Sequence, residues 1–133
     1  MVGNMYQQNN IYKKFTLDTN AVIYLLSNKI KLLEIIDTTN FHIIIPGIVY
    51  MELLSKSISA IEFETIQEIL NDFEVAEAGL HEYLVGANLR RKYKSLKSAD
   101  ALVAATAKTK QAILLTADKL LLSIKEVNSI SLL

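Results

Sequence analysis

Four acids, Asp18, Glu52, Asp100 and Asp118, are the residues of this chain whose types and positions point to chemistry. In an open parallel sheet the functional crevice lies beyond the carboxyl ends of the strands, so polar residues that terminate apolar runs are the first candidates. Asp18 ends Phe15-Thr16-Leu17 and opens the segment Thr19 to Leu26, at a strand-to-helix turn. Glu52 follows Ile43-Ile44-Ile45-Pro46; proline suits the first turn of a helix, and helical side chains lean back toward the N-terminus, which aims Glu52 at the same edge. Asp100 lies two residues after Ser98, an expected N-cap, at the head of the small-residue helix Ala101 to Ala107. Asp118 lies three residues past Leu115, off the end of another apolar run.

Taken singly, each acid has a plain structural use. Asp18 and Asp118 can cap the helices that follow them, Asp100 can sit at the positive end of its helix, and Glu52 can pair with Lys56 at i,i+4. Together they imply more. Four carboxylates within several ångströms of one another cannot all stay ionised without raised pKa values or a cation. All-oxygen ligands in a chain without cysteine select Mg²⁺ or Mn²⁺ over zinc. Such an ion activates water for in-line attack on phosphorus and neutralises charge on the phosphate oxygens, which is phosphodiester hydrolysis. Thr19, Asn20, Ser98 and Thr116 are the polar neighbours able to orient the carboxylates.

These positions require a frame that gathers strand ends. Short apolar runs at Phe15 to Leu17, Phe41 to Ile45, Ala112 to Leu115 and Ile130 to Leu133 alternate with longer segments of helical period, and Phe73 to Ala76 adds a fifth run. The expectation is an α/β fold, a three-layer α/β/α sandwich on a central parallel sheet of four to five strands. At 133 residues, 51% hydrophobic and 21% charged, the chain fits one folded domain and is far from disordered composition. Without cysteine there is no disulfide, thiolate zinc site or thiol nucleophile, and imidazole chemistry is limited to His42 and His81. The apolar runs are too short to cross a bilayer and the polar start lacks a secretory core, so a soluble, cytoplasmic protein is expected. Residues 1–12 are polar and expected to be mobile.

Fourteen basic and fourteen acidic residues cancel, but unevenly along the chain. Acids dominate from Glu62 to Glu82, and Arg90, Arg91, Lys92, Lys94 and Lys97 follow, leading into the helix that carries Asp100. That run can draw in RNA through phosphate contacts, with Tyr93 stacking on an unpaired base; as a plain surface, its cations are solvated and Tyr93 is core. Val22, Leu25, Leu26 and Leu32, Leu33, Ile35, Ile36 form helical stripes expected mainly in the core.

The segments Phe15 to Asn20, Ile45-Pro46 through Glu52-Leu53-Leu54, Ser98 to Ala107 and Leu114 to Asp118 resemble, in order and spacing, the successive motifs of PIN domains. The similarity spans residues 13–133 as one PIN-like nuclease domain, and its compact length resembles VapC toxins. The resemblance implies a Mg²⁺- or Mn²⁺-dependent endoribonuclease, with Asp18, Glu52, Asp100 and Asp118 at the metal-binding and catalytic positions and Asn20 and Thr116 as polar residues beside them. It also implies an antitoxin partner whose tail enters the active-site groove, and a homodimer. One departure stands: Lys119-Leu120-Leu121 follow the last aspartate, where many toxin members place a further acid or an aromatic. Two rival readings remain at this level, a HAD-like Mg²⁺-dependent phosphatase or phosphotransferase and a non-catalytic PIN-like module that binds RNA or protein. The first expects a second aspartate where Asn20 stands.

Overall fold

Phe15, Thr16 and Leu17 are all buried, so both faces of their strand are covered, as in a sheet with helices above and below. The computed structural model describes residues 13–35 and 41–132, with side chains for 13–27 and 41–132. Five strands, β1 (Lys13–Leu17), β2 (Phe41–Pro46), β3 (Glu74–Ala76), β4 (Ile113–Thr116) and β5 (Ser129–Ser131), form one sheet in the order β3-β2-β1-β4-β5. Every neighbouring pair is parallel, with Phe15 opposite both Ile43 and Ile113. The helices are α1 (Thr19–Ile35), α2 (Gly47–Ser55), α3 (Ala60–Leu70), α4 (Leu80–Lys92), α5 (Ser98–Thr109) and the single turn α6 (Lys119–Leu122).

The strand order reverses direction at β1 and β4. Connections from β1 to β2 and β2 to β3 step one way across the sheet, and those from β3 to β4 and β4 to β5 step the other. Right-handed crossovers therefore put α1 to α3 on one face and α4 to α6 on the other, a three-layer sandwich. The carboxyl ends of β1 and β4 lie side by side at the switch point, where the connecting helices part and leave a crevice. The core beneath it is continuous from Leu17 and Ile45 through Val49, Val103 and Ala104 to Leu115 and Leu121. Alanines let α5 come close: it packs on β1, β2 and β4. At the opposite edge, His42 Nε2 and Lys110 Nζ meet the Glu74 carboxylate at 2.7 and 3.3 Å, pinning β2, β3 and the end of α5.

Several local expectations shift. Thr116 belongs to β4 and Ala112 does not, because Ala112 is spent on the end of α5: its N–H reaches Ala107 O and Gln111 N–H reaches Lys108 O, with Gln111 at φ 54°. The last strand is Ser129–Ser131, set by pairing of Ile130 with Leu115, while Leu132 is buried beyond it. Pro46 ends β2 and serves as N-cap of α2 in an extended conformation, one residue before the helix. The cap of α5 is Lys97, leaving Ser98 as first helical residue with no side-chain cap bond. Leu26, expected in the core, is 40% exposed beside Ile23 at 41%; the side chains of Leu32, Leu33, Ile35 and Ile36, and residues 1–12, lie outside the described residues. Among the described residues no helix is long and apolar enough to cross a membrane.

A candidate acidic site at the carboxyl edge of the sheet

Asp18 leaves β1 and immediately caps α1, its Oδ1 accepting the Ala21 N–H at 2.8 Å. It is only 6% exposed, and its other oxygen, Oδ2, accepts the Thr116 hydroxyl at 2.5 Å. Thr116 is itself fully buried at the end of β4, and its oxygen accepts the Asp118 N–H at 3.0 Å, so the hydroxyl proton is left to point at Asp18. One threonine thus ties together the two strand ends that flank the switch point.

Asp118 caps α6 through Oδ1, which accepts Leu120 N–H at 2.8 Å and Leu121 N–H at 3.1 Å. The carboxylate stays exposed at the crevice rim. Glu52, one and a half turns into α2, is half-buried and turns toward α1, where the Thr19 hydroxyl donates to its Oε1 at 2.7 Å; it does not take the partner four residues on, Lys56. Gly47 suits that helix start, because a Cβ there would stand 3.3 Å from Ala76 O at the end of β3, closer than ordinary van der Waals contact. Asp100 is half-buried in the first turn of α5.

Electrostatics show that the four acids share one neighbourhood. Burial pushes the Asp18 carboxyl up from its ordinary value; the bonds from Thr116 and Ala21 oppose this, and the charges of Asp118 and Glu52 add to it. Burial likewise pushes Asp100 up, reinforced by Asp118, Asp18 and Glu52, with Lys97 the one opposing cation among the causes. None of the ion pairs His42–Glu74, Lys110–Glu74 and Lys92–Glu126 involves these acids. The edge therefore carries concentrated negative charge that the described side chains do not neutralise, a donor set suited to a hard divalent cation. Among the described residues no three His, Cys, Asp or Glu side chains stand close enough to grip a bare ion.

The other candidates divide. Thr116 holds Asp18, whereas Asn20 is exposed and takes no part in the hydrogen bonds that position the acids. In the basic run, Lys92 Nζ pairs with Glu126 at 2.9 Å and Arg90 Nε donates to Leu96 O at 3.0 Å, while Arg91, Lys94 and Lys97 are exposed. Tyr93 is not available as a stacking platform: its hydroxyl donates to Glu126 at 2.7 Å and accepts Lys125 N–H at 3.0 Å, and its ring packs on the core. The Tyr93 hydroxyl, followed by Lys92, holds the Glu126 carboxyl down to about 2. Sequence reasoning foresaw Asp18 as a cap, which the Ala21 amide bears out, and named Thr19 among several polar neighbours but did not connect it to Glu52; no local pattern links residues 33 positions apart.

Comparisons with known proteins agree with the fold. The family model of the PIN domain matches residues 15–127. The solved toxin–antitoxin complex from Klebsiella pneumoniae contains a chain that superposes with a TM-score of 0.75 at 23% identity, covering 89% of this chain and 97% of that one. VapBC-1 from nontypeable Haemophilus influenzae gives 0.75 at 21% identity, over 90% and 98%. VapBC2 from Rickettsia felis, bound to a DNA fragment from its promoter, gives 0.71 at 23%, over 89% and 98%. Among curated proteins none matches in sequence.

Proposed function

Since the chain belongs to the PIN domain family, we propose that it is a Mg²⁺- or Mn²⁺-dependent endoribonuclease and the toxin of a VapBC-type toxin–antitoxin pair. The observation that carries this is the convergence of Asp18, Glu52, Asp100 and Asp118 at the β1–β4 switch point, where Asp100 feels the charge of the other three. These four carboxylates would hold the cation, which when bound polarises water for attack on phosphorus and neutralises charge developing on the phosphate oxygens. Asp18, fixed through both oxygens, is the rigid member of the set; Glu52 comes from α2 and is held beside it by Thr19. Exposed Arg91, Lys94 and Lys97 lie on the approach to α5 and supply phosphate contacts for a single strand. Hydrolysis by water leaves the 2′-hydroxyl unused, so products carry 5′-phosphate and 3′-hydroxyl ends.

The test compares wild type with Asp18→Asn and Asp100→Asn on structured RNAs in Mg²⁺, in Mn²⁺ and in chelator. Wild type cleaves only with metal, and each folded variant loses about 100-fold or more. Equal cleavage by the folded variants, or full activity in chelator, refutes the assignment.

Partners follow from the same reading. The toxin–antitoxin neighbours and an apolar hollow of about 320 Å³ between α1, α2 and α3, lined by Ile23, Leu26, Leu53 and Ile66, support an antitoxin segment docking beside Glu52's helix. Co-expression with a small DNA-binding protein encoded by an adjacent gene tests this, and failure of the two to co-purify opposes it. Exposed Leu80, Tyr83 and Leu84 on α4 support a homodimer.

A further inference from the structure

We infer that Thr19 is a positioning residue of the acidic site: its hydroxyl fixes which way the Glu52 carboxylate faces, and with it how tightly the site holds a divalent cation. The inference rests on the metal-dependent reading above. Glu52 reaches the crevice on a side chain with three rotatable bonds, from a helix whose start is set by Pro46 and Gly47 on the β2 side. Among the described residues its hydrogen-bond donor is the Thr19 hydroxyl, at 2.7 Å. Thr19 cannot drift, because it sits between the buried Asp18 and the Ala21 amide that Asp18 caps. The bond holds Oε1 of Glu52 in place while that oxygen keeps a further lone pair, as a partner outside the ligand shell does when it orients a ligand. Thr116 does the same for Asp18 from the neighbouring strand.

The experiment is Mn²⁺ titration of the full chain by calorimetry, for wild type, Thr19→Val, Thr19→Ser, Glu52→Gln and the double variant Thr19→Val/Glu52→Gln, with melting followed in chelator. Thr19→Val keeps the shape and removes the hydroxyl: Mn²⁺ affinity falls about tenfold while melting in chelator is unchanged. Thr19→Ser restores wild-type affinity. Thr19→Val has no further effect once Glu52 is Gln, because a residue acting through Glu52 has nothing left to act on. Wild-type affinity in Thr19→Val, failure of Ser to restore binding, or additive losses in the double variant overturn the inference. Asp18→Asn separates the two readings: if wild type binds Mn²⁺ and Asp18→Asn does not, the acidic site stands and the Thr19 variants decide its positioning alone. A wild-type chain with no Mn²⁺ affinity overturns both.

Discussion

Asp18 and Asp118 show why the structural and functional uses of an acid need not compete. Each caps a helix through Oδ1, and each nevertheless adds its charge to the same crevice. The cost falls on the metal-free protein, and Asp100 is where it can be read cleanly, since its shift comes from burial and like charges without an opposing hydrogen bond among the causes. Its folded pKa lies above the unfolded value of 3.8, so the folded chain retains a proton that the unfolded chain has released. Stability therefore falls as pH rises from near the ordinary value through the raised one, and above that the whole penalty stands. Asp100→Asn removes the charge in nearly the same shape. At pH 7 in chelator the variant melts higher than wild type, by roughly 1 kcal/mol after solvent screening, or roughly 4 °C for a chain of this length. The advantage fades as pH falls toward 4, and Mg²⁺ raises the melting temperature of wild type more than that of the variant. A variant that melts below wild type at pH 7 in chelator would show the acids are not in mutual repulsion.

At the scale of elements, what the sequence made legible was what local pattern controls. Alternating apolar runs located all five strands to within a few residues, and the rule that crevices lie beyond strand ends selected Asp18 and Asp118 correctly as residues leaving β1 and β4. What was not legible was decided by partners far away in the chain. Tyr93 reads as an aromatic among cations, but Glu126, 33 residues on, claims its hydroxyl. Leu26 fits a buried stripe, yet the groove it borders is left open by α2 and α3. Ser98 has the chemistry of a cap, and the backbone begins the helix one residue too early for it. The end of α5 was misjudged because its stop signal is the wrong residue type: the left-handed position that usually carries glycine carries Gln111, at φ 54°. The two backbone bonds of the stop are nonetheless made, by Gln111 and Ala112. Gln111→Gly relieves the Cβ conflict, set against the greater freedom glycine gives the unfolded chain, and stabilises by about 0.5–1 kcal/mol. Chemical denaturation reads it as a higher midpoint at constant slope; a lower midpoint would mean the Gln111 side chain contributes more than its backbone strain costs.

For the whole molecule, zero formal net charge means two copies meet without long-range repulsion, and the distribution of charge then decides how they fit. Helix α4 carries Glu82 in its first turn, shortly after Glu77, and ends with Arg90, Arg91 and Lys92, an acidic start and a basic finish. Between them Leu80, Tyr83 and Leu84 are 74, 53 and 57% exposed, and Met51 on α2 is 58% exposed nearby. A hollow of about 290 Å³ bounded by Met51, Tyr83, Leu102 and Thr106 adjoins this face. Monomers seldom leave an apolar patch of this kind facing water. A two-fold axis across α4 would lay the helix antiparallel to its copy, bury the leucines and bring each basic end to the other's acidic end, which is the self-complementarity a closed dimer requires. The expected outcome is a dimer in sedimentation at micromolar concentration that Leu80→Glu/Leu84→Glu converts to a monomer with the wild-type circular dichroism spectrum. Both positions are exposed in the single chain, so the acids cost the monomer fold little. Retention of the dimer by that variant would place the contact on another face, and a monomeric wild type would leave the α4 patch to a different partner.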